Sequence, residues 1–337
     1  MPRHHFSTLA MLLLTACCAP LSRAAPVPPA WAISHTIAIG GEARWDLMWI
    51  DSAAQRLYVS HGSQTEVIDT RSNQLLGTIS PTPGVHGVTV ASELGLGFTS
   101  NGKDNSVTVF DLTTLKTRST IKVGQNPDAI VYDPVSQRVI CLNGRSQDAS
   151  IIDPRRGVVV AAVALGGKPE LVEADGKGRV WLNLENTAEL VLLDPLTAKI
   201  LARHSLKPCE NPTGLAIDKA QRLYSVCENN KMIITSATGQ RLGEAPIGAG
   251  SDGVVWLDGY AMSANGADGT LSVVEQSDKG TFETVATLPT ERGARTIVAD
   301  PATHRLYLPT AQFKPAKDSG RAQGVPDPFH ILVLERR

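Results

Sequence analysis

The sequence predicts an all-β fold, a seven-bladed β-propeller with four-stranded blades. The first observation is a repeat of seven units, whose spacings along the chain are 40, 42, 42, 43, 39 and 43 residues. The residues that open the units are Asp46, His86, Asp128, Glu170, Thr213, Asp252 and Arg295. The second observation is that most units hold four short runs of β-forming residues, without the 3.6-residue periodicity of helical repeats. A period of about 40 residues with four strands is typical of a propeller blade.

The first unit shows the four strands most clearly. Its runs are Leu47 to Ile50, Leu57 to Ser60, Glu66 to Thr70 and Leu75 to Ile79. Asp-Pro pairs separate such runs in other units, and this pair is typical of turns rather than strand interiors. These pairs are Asp133-Pro134 and Asp300-Pro301 after a first strand, and Asp153-Pro154 and Asp194-Pro195 after a third.

The seventh unit supplies only three strands. They are Arg295 to Asp300, Arg305 to Thr310 and Phe329 to Leu334. The segment from Ser34 to Gly41 reads like the fourth strand of other units, such as Ser119 to Gly124. Because a three-stranded last blade would leave an unpaired edge, we expect this N-terminal strand to pair with Phe329 to Leu334 and close the ring.

Three stretches of the first unit carry a resemblance to a known family. They are Arg56-Leu57-Tyr58-Val59-Ser60, Val67-Ile68-Asp69-Thr70 and Gly77-Thr78-Ile79. This repeat resembles that of YVTN-type propellers, in particular the periplasmic YncE-like proteins, over roughly residues 31 to 337. The Thr-Asn end of the motif is Ser60-His61 here, and the sixth unit departs furthest. The resemblance implies the propeller fold and allows a binding function, but the matching strand and turn residues imply no chemistry.

The first 24 residues read as a secretory signal peptide. Arg3 precedes an apolar stretch from Phe6 to Ala16 that is too short to span a bilayer. Leu14-Thr15-Ala16-Cys17 has the form of a lipobox, which would place a lipid on Cys17, while Ser22-Arg23-Ala24 offers an ordinary cleavage site. We therefore expect a periplasmic protein, either soluble or anchored to the outer membrane, with a tether over residues 25–30 and one propeller domain over residues 31–337.

Composition narrows the function classes. The formal net charge is −1, from 32 basic and 33 acidic residues, and aromatic residues make up 5%, so the basic footprint of a nucleic-acid binder is missing. A hydrophobic content of 42% suits one monomeric domain.

Cys209 and Cys227 flank a predicted hairpin of the fifth unit, and we predict a disulfide between them in the oxidising periplasm. Cys141 is then expected to be free and buried.

The repeat also predicts which residues surround the mouth of the central channel. The innermost strands of a propeller start on the face where the loops between second and third strands emerge. The opening set therefore places four carboxylates there, Asp46, Asp128, Glu170 and Asp252, together with His86 and Arg295. The loops add His61, Asn101, Lys103, Asn143, Arg145, Asn183, Glu185, Glu228, Asn229 and Asn265.

Arg295 stands between Asp252 and Asp46 in this order and is interpreted as their ion-pair partner. Asp128 and Glu170 have no evident ion-pair partner among the residues that open the repeat units. Two close carboxylates must be solvated, share a proton or bind a cation.

The leading hypothesis is an exported recognition protein whose channel mouth binds a small ligand or an envelope protein. It rests on varied polar residues at equivalent positions of a repetitive scaffold, without GxSxG, CxxC, CxxCH or Walker motifs. An enzyme is the less favoured class, and no catalytic residue is assigned under this hypothesis. The predicted ligand-binding residues are Asp46, His61, His86, Asp128, Glu170, Asn183, Asp252 and Arg295.

The alternative is a metal-assisted hydrolase of the lactonase type, because other propellers hold a divalent ion at the channel mouth. Its ligands would be Asp128, Glu170, Asn183 and Asp252, around a divalent cation such as Ca²⁺, with His86 as base. No other cofactor is predicted. A third reading, single-stranded nucleic-acid binding, rests only on Trp45, Lys103, Arg145 and the basic segment from Gln312 to Pro328.

Overall fold

The structure is a computed structural model that describes residue 1, residues 31–314 and residues 323–337. The predicted lipobox with Cys17 and the tether lie outside the described residues, as does the predicted signal peptide apart from Met1. The described residues form seven antiparallel sheets of four strands each. No helix among them has the length and apolar character needed to cross a membrane. The seven-bladed propeller predicted from the repeat is confirmed.

The first strand, β1 (Trp31–Ala38), belongs to the last blade, and blades 1 to 3 follow it along the chain. Blade 1 consists of β2 (Trp45–Asp51), β3 (Arg56–His61), β4 (Gln64–Asp69) and β5 (Gln74–Ile79). Blade 2 consists of β6 (Val85–Ala91), a short 3-10 helix (Ser92–Leu94), β7 (Leu96–Asn101), β8 (Ser106–Asp111) and β9 (Thr117–Lys122). Blade 3 consists of β10 (Pro127–Asp133), β11 (Arg138–Asn143), β12 (Asp148–Asp153) and β13 (Val158–Ala164).

Blades 4 to 6 repeat the same order of strands. Blade 4 consists of β14 (Pro169–Ala174), β15 (Val180–Leu184), β16 (Glu189–Asp194) and β17 (Lys199–Ser205). Blade 5 consists of β18 (Pro212–Ile217), β19 (Leu223–Cys227), β20 (Lys231–Thr235) and β21 (Arg241–Pro246). Blade 6 consists of β22 (Ser251–Leu257), β23 (Tyr260–Asn265), β24 (Thr270–Gln276) and β25 (Phe282–Pro289).

Blade 7 closes the ring with strands from both ends of the described chain. It consists of β26 (Val298–Asp300), β27 (Arg305–Lys314), β28 (Gln323–Arg336) and β1. Strand β1 pairs antiparallel with β28, with Ile37 opposite Ile331 and Ala38 opposite His330. The predicted closure by the N-terminal strand is therefore confirmed. Closure covers the edge of β28 that a three-stranded blade would leave unpaired.

Apolar side chains are buried mainly between adjacent blades. In one of the seven clusters, Ile140 and Ile151 of blade 3 pack with Leu182 and Val191 of blade 4. Second and third strands are covered by a neighbouring blade on each face, which explains their continuous apolar runs. The outermost strand of blade 4, β17, instead alternates between exposed and partly buried residues. This packing gives the channel a rigid wall made of the seven innermost strands.

Aspartate fixes four of the turns between third and fourth strands, two of which are predicted Asp-Pro turns. The Oδ1 atom of Asp69 accepts hydrogen bonds from the backbone N–H groups of Arg71 and Ser72, at 2.9 and 2.8 Å. The same arrangement recurs at Asp111, Asp153 and Asp194, always between the third and fourth strands. A side chain that pairs with its own following backbone favours a turn over continued strand.

The predicted disulfide is present. Cys209, before β18, is bonded to Cys227 at the end of β19, and the Cα atoms lie 5.4 Å apart. Both cysteines are buried. Cys141 is free and buried within β11, where loss of water raises the pKa of its thiol far above the usual range. A thiol in this state is inert, which fits a packing role.

Candidate functional site

The innermost strands bring most of the opening residues together at one end of the channel. In blades 1 to 6, the register between first and second strands shifts at the opening residue, for example between Trp45 and Met48 in blade 1. A bulge of this kind re-aims a side chain away from the ordinary alternation. The mouth set, defined as Asp46, His86, Asp128, Glu170, Asp252 and Arg295, stands at these positions and at the start of blade 7.

His86 links two carboxylates of the mouth set. Its Nδ1 atom lies 2.6 Å from Oδ2 of Asp46 and 3.8 Å from Oδ1 of Asp128. The hydrogen bond with Asp46 raises the pKa of His86, and the charges of Asp128 and Asp46 add to this against the opposing effect of burial. One potential ligand atom from each of the three residues lies within 4.8 Å of the others. When protonated, His86 is therefore a cation that bridges Asp46 and Asp128. When neutral, its ring nitrogen is available as a metal ligand.

Arg295 joins the other side of the mouth set. Its Nε atom donates to Oδ2 of Asp252 at 2.8 Å, and its Nη2 atom lies 3.7 Å from Oδ1 of Asp46. The guanidinium also donates to the carbonyl of Trp45 and lies 5.6 Å from the centre of the Trp45 ring. Arg295 thus occupies the place between Asp252 and Asp46 that the order of blades predicted.

Lys168 supplies a partner for Glu170 that the sequence had not assigned. Its Nζ atom donates to Oε1 of Glu170 at 2.7 Å and also to Glu185. Burial opposes the charge of Lys168, but the two carboxylates raise its pKa above the usual range. The only signal in the sequence was the position of Lys168, two residues before the opening residue of its blade.

Negative charge remains in excess at the mouth. The mouth set and Glu185 supply five carboxylates, whereas Arg295 and Lys168 are the permanent cations that pair with them. Burial, then repulsion by Asp46, raises the pKa of Asp128 to about 7. Burial and the charge of Asp128 raise the pKa of Glu170 to about 8. Both shifts arise first from burial and second from repulsion between carboxylates, which the nearby cations do not fully offset.

His61 does not belong to this mouth, contrary to the sequence prediction. It is 5% exposed and stacks on Phe329, with ring centres 4.4 Å apart. Its Nε2 atom lies 2.7 Å from the carbonyl oxygen of Glu42, and its Nδ1 atom lies 3.2 Å from Glu66. Both ring nitrogens are engaged inside blade 1 and at its edge, so His61 is a structural group.

Asn183 is also removed from the predicted ligand sets, because its amide is fully buried and engaged. Its Nδ2 atom donates to the carbonyls of Thr213 and Gly214 in the next blade, at 3.1 and 3.0 Å. Its Oδ1 atom accepts from Ser225. The predicted metal set of Asp128, Glu170, Asn183 and Asp252 is therefore not brought together as four ligands. Asp46 and His86 stand beside Asp128 instead.

Three further asparagines predicted for the rim are buried as well. We call Asn101, Asn143 and Asn265, each at the end of a second strand, the asparagine set. Each amide donates to two side-chain oxygens on or just before the adjacent third strand. Asn143, for example, donates to Asp148 at 2.6 Å and to Ser150 at 2.9 Å. These amides hold the blades together and are not available to a ligand.

Trp45, one basis of the nucleic-acid reading, offers little free ring surface. It is 8% exposed and stacks on Phe329 at 5.7 Å between ring centres, while Arg295 lies over it. Lys103 and Arg145 lie exposed on loops of blades 2 and 3.

Two further residues predicted for the rim are engaged within blade 5. Glu228 accepts a hydrogen bond from Asn211, and Asn229 donates one to the carbonyl of Pro208, so both brace the loop that carries Cys209.

The channel below the mouth set is apolar. A cavity of about 170 Å³ is lined by the residues that follow the opening positions, among them Leu47, Ala129, Leu171 and Ile297. One carboxyl group, that of Glu173, interrupts this lining. Burial raises the pKa of Glu173 to about 7. Sequence reasoning missed Glu173, although it was the charged residue in an otherwise apolar stretch of an innermost strand.

Comparisons with known proteins identify the fold and no family. No family model matches the chain, and no curated protein matches it. Solved structures do match. WD40 repeats of RRP9 are 8% identical with a TM-score of 0.76, over 91% of this chain and 100% of that one. A chain of a mitotic checkpoint complex is 14% identical with a TM-score of 0.73, over 97% and 99%.

A hydrazine synthase chain from Kuenenia stuttgartiensis is 14% identical, with a TM-score of 0.67 over 77% of this chain and 91% of that chain. At these identities the likeness shows the propeller scaffold alone.

Proposed function

We propose that this protein is an exported propeller that binds a cationic group of a small ligand or of an envelope protein at the mouth set. One observation carries the proposal: five carboxylates converge at the channel mouth around two permanent cations and one histidine. Burial first and repulsion between carboxylates second raise the pKa of Asp128 and Glu170, and a positive ligand would offset that repulsion. The repeat residues and the signal-like N-terminal segment support a YncE-like periplasmic protein.

The experiment is calorimetric titration of the purified protein with Ca²⁺ and, separately, with hexylamine at about pH 7.5. We expect one site for at least one of these probes. The double variant Asp46→Asn, Asp128→Asn should weaken binding about tenfold or more, since each carboxylate removed takes away attraction for the probe. The matched control is Asp278→Asn, which removes an exposed aspartate from an outer turn.

Two results would contradict the proposal. One is the absence of binding by both probes. The other is binding that the double variant retains unchanged, which would locate the cation away from the mouth set. A thermal unfolding curve of each variant establishes that the fold is intact before binding is compared.

A second candidate, the metal-assisted hydrolase, is favoured by the close group of Asp46, His86 and Asp128. Two carboxylate oxygens and one imidazole nitrogen are a donor set that fits a divalent ion, which would polarise a carbonyl and activate water. In that arrangement His86 would be a ligand, so it could not serve as the predicted base. Elemental analysis that finds no stoichiometric metal, together with lactone hydrolysis that a chelator does not affect, would eliminate this candidate.

A further inference from the structure

The channel has the chemistry of a site with two polar ends and an apolar middle. At one end stand the carboxylates of the mouth set. The cavity of about 170 Å³ beneath them is lined largely by aliphatic side chains and glycines. Glu173 lines this cavity and also a second one, which opens among Ile217, Leu257 and Pro301 near the far ends of the innermost strands. Glu173 therefore stands between the apolar channel and its opposite opening.

Glu173 has no ion-pair or hydrogen-bond partner among the residues that the structure describes. The other three side chains that line both cavities, Val254, Val255 and Val298, are apolar. A partly buried carboxyl group normally has a partner, because leaving it without one costs free energy. By contrast, two buried aspartates that directly follow innermost strands are paired: Asp175 binds Arg179, and Asp218 binds Arg222. Glu173 is the exception that points to a ligand.

We propose that the channel binds a linear aliphatic diamine, with one ammonium at the mouth set, the methylene chain along the apolar wall and the second ammonium at Glu173. The first ammonium rests on the proposed function, and the second is new. An ammonium group can pair with a single carboxylate and donate its other two N–H groups to water, whereas a metal ion needs several ligands. Acidic groups at both ends disfavour anionic ligands.

The dimensions agree with a short chain. Glu170 and Glu173 lie on β14 three residues apart, which places their backbones about 10 Å from each other along the channel. A dry cavity of roughly 150 Å³ holds a molecule of six carbon atoms such as benzene. The channel cavity of about 170 Å³ can therefore hold the chain of hexamethylenediamine.

The test compares hexamethylenediamine with hexylamine by calorimetric titration of the full folded protein. The two probes share the chain and one ammonium, so their difference reports the second ammonium alone. We expect the diamine to bind at least about tenfold more tightly than the monoamine. In Glu173→Gln the two affinities should become equal, whereas the control Glu283→Gln, at an exposed glutamate, should keep the difference.

A second readout follows the proton on Glu173. An ammonium beside this carboxyl lowers its pKa from about 7, so the diamine should release more protons than the monoamine near pH 6.5. Titration in buffers of different ionisation enthalpy measures this release. The extra release should vanish in Glu173→Gln.

The possible failures are distinguishable. Equal affinities for diamine and monoamine in the wild type, with both weakened by Asp46→Asn, Asp128→Asn, would overturn the diamine site and leave the mouth as a cation site. Binding of neither amine and no binding of Ca²⁺ would overturn the proposed function. A diamine preference that persists in Glu173→Gln would place the second ammonium elsewhere and refute the role of Glu173.

Discussion

The asparagine set and the mouth set both recur with the period of the blades, yet they differ in every physical respect. Asn101, Asn143 and Asn265 are the same residue, fully buried, and each bonds to the third strand in a similar way. The mouth set varies between Asp, His, Glu and Arg, is partly exposed, and carries unbalanced negative charge. Repetition of one residue with one set of bonds marks the scaffold. Variation with unbalanced charge marks the place where a ligand can bind.

Blade 5 shows what replaces a member of the asparagine set. Cys227 stands opposite Pro212 in β18, just as Asn143 stands opposite Pro127 in β10. The disulfide with Cys209 therefore substitutes a covalent bond for the amide hydrogen bonds at this position. The comparison predicts that changes in the scaffold lower stability and leave binding intact. Changes in the mouth set should instead weaken binding without lowering stability.

The largest effect is expected from Cys209→Ser, Cys227→Ser. Removing a link across 18 residues should lower the free energy of unfolding by about 3 kcal/mol, because the unfolded chain gains conformational freedom. Urea unfolding measures this loss, and Cys141→Ser is the control for the removal of a buried thiol without a disulfide. Calcium or amine binding should stay unchanged where the protein is folded. A loss below about 1 kcal/mol would show that the disulfide does not carry the role of the asparagine set.

Asn143→Ala should have the next largest effect. It leaves Ser150 and Asp148 without the amide donor, and buried groups that lose a partner cost about 2 kcal/mol in total. Urea unfolding of this variant is compared with that of Thr187→Ala, which removes an exposed side chain from a loop of blade 4. If Asn143→Ala instead weakened cation binding with stability preserved, the division between scaffold and mouth would be wrong.

The propeller and its closure could be predicted because they depend on periodicity and on strand pairing. The unpaired edge after Phe329 to Leu334 needed a partner, and the segment from Ser34 to Gly41 had the right pattern. The disulfide followed in the same way from the two strands of one hairpin. These features are set by backbone topology, which the spacing of the repeat specifies.

The direction in which side chains point was harder to predict from the sequence. His61 and the asparagine set end their strands near the mouth, but strand geometry turns these side chains into the blades. Lys168 and Glu173 are functional candidates that only the structure revealed. The role of Lys168 depends on Glu185 in a loop of the same blade, and that of Glu173 depends on a largely apolar wall to which the six other blades contribute. Neither environment can be read from neighbours along the chain.

The smallest effect in stability, with the opposite sign, is expected from Asp128→Asn. The folded protein holds the pKa of Asp128 at about 7, above its ordinary value of 3.8, so its contribution to stability is full below about pH 4 and is lost as pH rises towards 7. His86, whose pKa is also raised, loses its contribution in the same direction. The unfolding free energy of the wild type should therefore decrease between about pH 5 and about pH 8.

Asparagine cannot ionise, so Asp128→Asn should reduce this decrease. It should be more stable than the wild type by about 1 kcal/mol at about pH 8 and close to it at about pH 5, a modest value because Asp128 is 21% exposed to water. His86 keeps its bond to Asp46 in the variant, and Glu170 is relieved of one repelling charge. Urea unfolding at both pH values measures the effect, with Asp278→Asn as control. If the unfolding free energy of Asp128→Asn depended on pH as that of the wild type does, the mouth set would carry no excess charge. The contrast with the asparagine set would then have no physical basis.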